Sequence, residues 1–193
     1  MDIHTKLQQK ERNKYEKDKI LLENIGFDSS RIKVEYPVVS ERFYAASRDK
    51  YEPYTILFWG AMNRAENQDA VIWFVSSILP KIKESIPQIK LIVLGANPTD
   101  DIMSLASDNI IVTGFVDDPI PYFEKAALAV APLRFGAGIK LKVLEAIAAK
   151  LPVIGTSVAA EGVNIKSNEL IVCDDENDFA QSVVAAISTK HHP

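Results

Sequence analysis

Lys140, Lys142 and Glu145 stand close together just after Gly136 and Gly138, in the run FGAGIKLKVLEAI. The two glycines permit positive φ and a close backbone approach to a ligand. Leu141, Leu144, Glu145 and Ala148 recur at helical spacing, so a helix is expected to start near Ile139. Its first N–H groups have no partner inside the helix, and opening onto a glycine loop they form an anion site. Lys140 and Lys142 add positive charge in the first turn, where the helix dipole gives cations no reason to be. The chemistry this implies is the holding of a ligand that carries phosphate.

The elements around this run must place it. Ala127 to Leu133 is an apolar run of strand length, suited to a strand covered on both faces. Pro152 marks the restart after the helix, and Val153-Ile154 begins the next strand. Upstream, Thr55 to Trp59 reads as a strand ending at Gly60. A helix over 67–86 carries Val71, Phe74, Val75, Ile78, Leu79 and Ile82 on one face, with Pro80 expected to kink or divide it. Ile89 to Leu94 is a strand ending at Gly95, Thr99 and Asp100 cap a short helix through Leu105, and Ile110 to Val112 is a strand ending at Gly114. A brief helix over 121–126 precedes the central run. Leu170 to Val172 and a helix over 177–187 follow it. This alternation with short connections selects an α/β, Rossmann-like doubly wound parallel sheet of about six strands. Ligands lie across the carboxyl ends of such strands, where Gly60, Gly95 and Gly114 make room. Each glycine taken alone also reads as a plain turn into a helix. No GxGxxG follows the first strand and no Walker-type loop exists, which disfavours a dinucleotide dehydrogenase or a P-loop enzyme.

Residues 3–25 are rich in Lys and Glu and end at Gly26, a helix stop, with apolar residues clustered late, at Tyr15, Ile20, Leu21, Leu22 and Ile25. A turn at Asp28 to Ser30 and a short strand over 31–39, interrupted by Pro37, come next. Residues 40–53 are polar and mixed. We therefore divide the chain into an N-terminal helix and linker, 1–53, and a compact domain, 54–190.

The whole-chain numbers narrow the function. A net charge of −4 without an evident basic face argues against nucleic acid. No apolar run is long enough to span a membrane, and the charged N-terminus has no apolar signal region, so a cytoplasmic setting is expected. Cys173 is the single cysteine and reads as a buried, inert thiol. His4, His191 and His192 lie at the ends, and no His, Cys, Asp and Glu set has metal-ligand spacing, so neither a metal nor another cofactor is expected.

The segments FWGAMNRAENQDAVIWF, IIVTGFVDD, VAPLRFGAGIKLKVLEAIAAKLPVIGTSVAAEGV and DFAQSVVAAI follow one another in the order seen in a known family. The block from Ile56 to Phe179 resembles the C-terminal, donor-binding domain of group 1 (family four) glycosyltransferases of GT-B fold. GAGIKLKVLEAIAAKLPVIGT is its most specific part. The preceding LLENIGFDSSRIKVEYPVVSERF resembles the end of the family's N-terminal domain and its linker, while nearly all of that acceptor-binding domain is absent.

The resemblance implies a nucleotide diphosphate-sugar donor held by loops 60–66, 114–117 and 134–145. It also implies a metal-independent, retaining transfer to a glycan or lipid-linked acceptor, as in polysaccharide biosynthesis. Glu145 matches the glutamate that holds the ribose hydroxyls, a task suited to a carboxylate that accepts two hydrogen bonds from a diol. Lys142 matches a lysine that contacts the donor diphosphate, with a solvated helix lysine as the plain alternative. Gly60, Arg64, Arg134, Lys140 and the backbone of Gly136, Gly138 and Ile139 complete the expected phosphate and sugar contacts. Gly114 and Val116 fall in the loop that reads the base, and Thr156 at the end of the next strand is expected to face the site. The family's first motif glutamate falls on Ala137, which leaves the catalytic residues unassigned. The missing acceptor domain is a partner in cis or in trans, and peripheral membrane association would run through it. A nucleotide-sugar binding subunit and a non-transferase α/β domain are the alternatives.

Overall fold

A computed structural model describes residues 19–32, 38–163 and 169–189. Residues 3–18 of the expected N-terminal helix, residues 33–37 of the expected first strand, and His191 and His192 lie outside the described residues. Residues 19–24 are helical. Ser29–Arg31 forms a 3-10 turn capped by the Asp28 carboxylate, so Arg31 turns where a strand was expected to begin.

Six strands form one parallel sheet: β1 (Thr55–Trp59), β2 (Lys90–Leu94), β3 (Ile110–Gly114), β4 (Leu128–Ala131), β5 (Val153–Gly155) and β6 (Leu170–Val172). Their order is β3-β2-β1-β4-β5-β6, the doubly wound arrangement expected from the sequence. β4 is buried throughout and β1 in all but its last residue, which is why both read as unbroken apolar runs. β1 and β4 run parallel, and the strand order switches direction between them; the crevice beside their carboxyl ends is where an open sheet of this kind accepts ligands.

The helix expected over 67–86 is continuous from Ala65 to Ser85, but Phe74–Ile78 is a π turn. Leu79 N–H donates to Phe74 O, five residues back. Pro80 has no N–H to return to Ser76 and would press on that carbonyl in an ideal helix, and widening the turn before it relieves both problems. Phe74 and Trp73 meet Phe179 of the helix Glu176–Ser188 edge-on, at ring centroid distances of 6.0 and 6.4 Å.

Residues 40–53, read as linker, are docked. The helix Glu41–Tyr44 buries Phe43, and Ala46 joins the core. The Arg48 guanidinium donates to the carbonyls of Phe123 (2.8 Å), Ala126 (2.6 Å) and Ala127 (3.2 Å), closing the end of the helix Ile120–Lys125. Hydrophobic spacing cannot reveal this, because a single Phe in a polar stretch sets no period.

The helix Leu141–Ala148 buries Val143, Leu144, Ala146 and Ile147. It ends where Leu151 N–H donates to Ala146 O (2.9 Å) and Lys150 N–H to Ile147 O (2.8 Å), with Lys150 at φ +59°. This paired closure wants a left-handed residue, and a lysine there is strained relative to glycine. Lys150→Gly is expected to raise stability by about 0.5–1 kcal/mol, read as an increased urea midpoint at unchanged m-value.

Candidate functional site

The carboxyl ends of β1 and β4 bring the 60–66 and 134–145 loops together. Gly60 follows β1, and a Cβ placed on it would lie 2.8 Å from both Lys142 Nζ and Asn67 Nδ2. Gly136 lies beside the start of the helix after β1, since a Cβ there would meet Glu66 at 3.7 Å. Gly60 therefore lets the lysine and the start of the next helix share one corner with the loop after β1.

Lys142 is the cation that faces this corner. Its Nζ donates to Asn67 Oδ1 and sits 4.9 Å from the centre of the Phe58 ring. Asn67, itself buried, is oriented by donating to Ala61 O at 2.7 Å. Burial brings the Lys142 ammonium down to about 8; Lys140 and Arg64 push the same way, and Glu66 and Glu145 oppose them. No side chain caps the helix that carries it.

Glu145 lies one turn further along and is half-buried. Burial raises its carboxyl above the usual range, against the Trp59 N–H, Arg42 and Lys142. Trp59 Nε1 donates to Glu145 Oε2 at 2.5 Å, a link across 86 residues of sequence. One oxygen and several lone pairs of the carboxylate stay available for a diol.

The other expected residues divide. Lys140 is buried, and its ammonium donates to Gly138 O (2.7 Å) and Gly136 O (3.2 Å), with Glu161 at 3.7 Å. It thus braces the glycine loop, and Ile139 and Gly138 follow the path it sets. Arg134 forks onto Asp69, with Nε to Oδ2 at 2.9 Å, and lies over the Trp73 ring. Arg64 is exposed and reaches Glu66 at 3.5 Å. The Thr156 hydroxyl is buried, donates to Leu133 O and accepts from Ala159 N, capping the helix Ser157–Ala160. Gly114, at φ +68°, and half-buried Val116 stand at the same sheet edge two strands from β1.

Sequence reading passed over Trp59, Asn67 and Arg42. A polar residue in the first turn of a buried helix was a usable signal for Asn67, and an indole at the last position of β1 was one for Trp59. Nothing in the sequence marks Arg42. Among the described residues, no three His, Cys, Asp or Glu side chains cluster as a metal site, and no helix is long and apolar enough to cross a membrane.

The family model described as glycosyl transferases group 1 matches residues 53–189. A Klebsiella pneumoniae protein, described as an uncharacterized 44.6 kDa protein in the cps region, is 26% identical over 148 residues, which are 70% of this chain and 38% of that one. The fold superposes on Anabaena Alr3699/HepE, solved in complex with UDP-glucose, with a TM-score of 0.63 at 12% identity, covering 89% of this chain and 52% of that one. A glycosyltransferase of Rickettsia africae ESF-5 gives 0.61 at 17% identity, covering 92% and 52%. TarM gives 0.59 at 17% identity, covering 75% and 30%. At such identities the structural likeness is one of fold. The chain spans about half the length of these relatives or less.

Proposed function

The chain belongs to the group 1 glycosyl transferases, and from that premise we propose that it is the donor-binding half of a retaining transferase using a nucleotide diphosphate-sugar. Lys142 neutralises the diphosphate, Glu145 holds the ribose, and the loop braced by Lys140 meets the distal phosphate and sugar. Gly114 and Val116 border the base, and Arg64, exposed at the rim, is free to swing toward phosphate. A helix N-terminus with cations stabilises a leaving diphosphate without a metal. Transfer requires an acceptor-binding domain across the crevice, in cis or in trans, so residues 54–190 alone are inactive in transfer. The expected setting is cytoplasmic polysaccharide synthesis.

The observation that carries this reading is the pairing of Lys142 and Glu145 one turn apart at the β1/β4 crevice, each held by a partner from outside its own helix. Calorimetric titration with UDP, GDP and ADP tests it. One nucleotide is expected to bind in the micromolar to millimolar range, and Glu145→Ala is expected to weaken it about tenfold, the worth of a hydrogen bond to a charged group. No binding by any of the three, or an unchanged affinity in Glu145→Ala, would sink it.

A further inference from the structure

We propose that Trp59 and Phe43 are positioning residues for the Glu145 carboxylate, making residues 40–46 a working part of the nucleotide site. The inference builds on the proposed role of Glu145. A glutamate on a helix surface samples many rotamers, and each ligand would have to order it. Here the Trp59 N–H fixes Oε2. The indole cannot yield, because Phe123 meets it edge-on at 5.6 Å and Phe43 lies at 6.5 Å, while Phe43 and Phe123 meet at 5.1 Å. Both phenylalanines are buried. Phe43 arrives on the helix Glu41–Tyr44, which packs directly on Leu141–Ala148. The carboxylate is thereby held from a segment outside the sheet, and a shift of that segment reaches the ribose contact through two rings and one hydrogen bond.

The charged groups facing Glu145 are Lys142 on its own helix and Arg42 on Glu41–Tyr44, with the Trp59 N–H from β1. All three favour the carboxylate, the form that accepts from a diol. Removing the N–H therefore lets Glu145 protonate at a higher pH, and binding is lost sooner as pH falls. A different arrangement, in which Trp59 competes with the ribose for the carboxylate, predicts the opposite sign.

Trp59→Phe separates the two, since it keeps a ring against Phe43 and Phe123 and loses only the donor. Affinity for the nucleotide that the wild type binds is expected to weaken about fivefold, and the loss to deepen as the pH falls. In the ligand-free chain, the Glu145 side-chain carboxyl, followed by carbon-13 NMR, is expected to titrate at a higher pH than in the wild type. Phe43→Leu, in a Trp73→Phe background where Trp59 is the sole tryptophan, is expected to shorten the Trp59 anisotropy decay and to move the Glu145 titration the same way. Tighter nucleotide binding in Trp59→Phe, or a Glu145 titration unmoved by both variants, overturns the proposal. The ligand-free titration judges it even if the wild type binds no nucleotide, an outcome that would count against the proposed function alone.

Discussion

Replacing Lys142 by methionine is expected to weaken nucleotide diphosphate binding about a hundredfold while making the ligand-free chain more stable. The binding loss follows from removing a desolvated cation aimed into the crevice, where charge interactions are stronger than in water. The stability gain follows from its titration. The ammonium titrates near 8 in the folded chain, because burial outweighs its carboxylate neighbours, against an ordinary 10.5. Below pH 8 both states hold the proton and the folded state carries the full desolvation cost, on the order of 3 kcal/mol. Between pH 8 and 10.5 the unfolded chain binds more protons than the folded one, so stability rises with pH across that window. Methionine removes both the cost and the slope. The difference in urea midpoint between wild type and Lys142→Met should favour the variant at pH 7 and shrink toward pH 10.5. Binding carries the same signature in reverse: a diphosphate favours the charged amine, so wild-type affinity should fall as pH rises through about 8. Lys142→Met should be flat there. An unaltered affinity in Lys142→Met, with the stability change present, would move the phosphate elsewhere in the crevice.

The inner strands β1, β2, β4 and β5 were legible because they are almost wholly buried, so their apolar runs locate them. Boundaries were less so: the central strand, expected over 127–133, spans Leu128–Ala131, and the helix expected near Ile139 begins at Leu141. That the loops of the candidate site adjoin was legible from the strand-end glycines, but the partners of their side chains were not. Spacing alone places Lys140 and Lys142 on the same helical start, yet one donates to the carbonyls of its own loop and the other reaches Asn67 from a different segment. Which carbonyls turn inward is decided by the loop's path, and no local pattern encodes that. Thr156 shows the same limit: its hydroxyl is taken up in capping the helix Ser157–Ala160 and in donating to Leu133 O. The Trp59 and Glu145 pair depends on β1 lying beside β4, so it becomes visible only once the strand order is known.

Two glycines at neighbouring strand ends should fail in different ways when given a methyl group. A Cβ on Gly95 would lie 1.8 Å from Gly60 O and 2.7 Å from its carbonyl carbon, both backbone atoms. β1 and β2 stay joined past their last residues, through Gly60 N–H to Leu94 O (3.0 Å) and Met62 N–H to Ala96 O (2.8 Å), so the clash cannot be relieved without parting them. Gly95→Ala is therefore expected to cost about 4 kcal/mol or more, at the exceptional end for a single substitution, and to lower the melting temperature by at least about 10 °C. A Cβ on Gly60 instead meets the ends of the Lys142 and Asn67 side chains at 2.8 Å, and the lysine can swing away. Gly60→Ala should keep most of the stability and lose most of the diphosphate affinity, because the amine that moves is the one proposed to meet the phosphate. Thermal melts and nucleotide titrations on both variants decide the matter. If Gly60→Ala melts as low as Gly95→Ala, the corner is rigid and Lys142 is structural. If it melts near the wild type and still binds, the phosphate does not use Lys142.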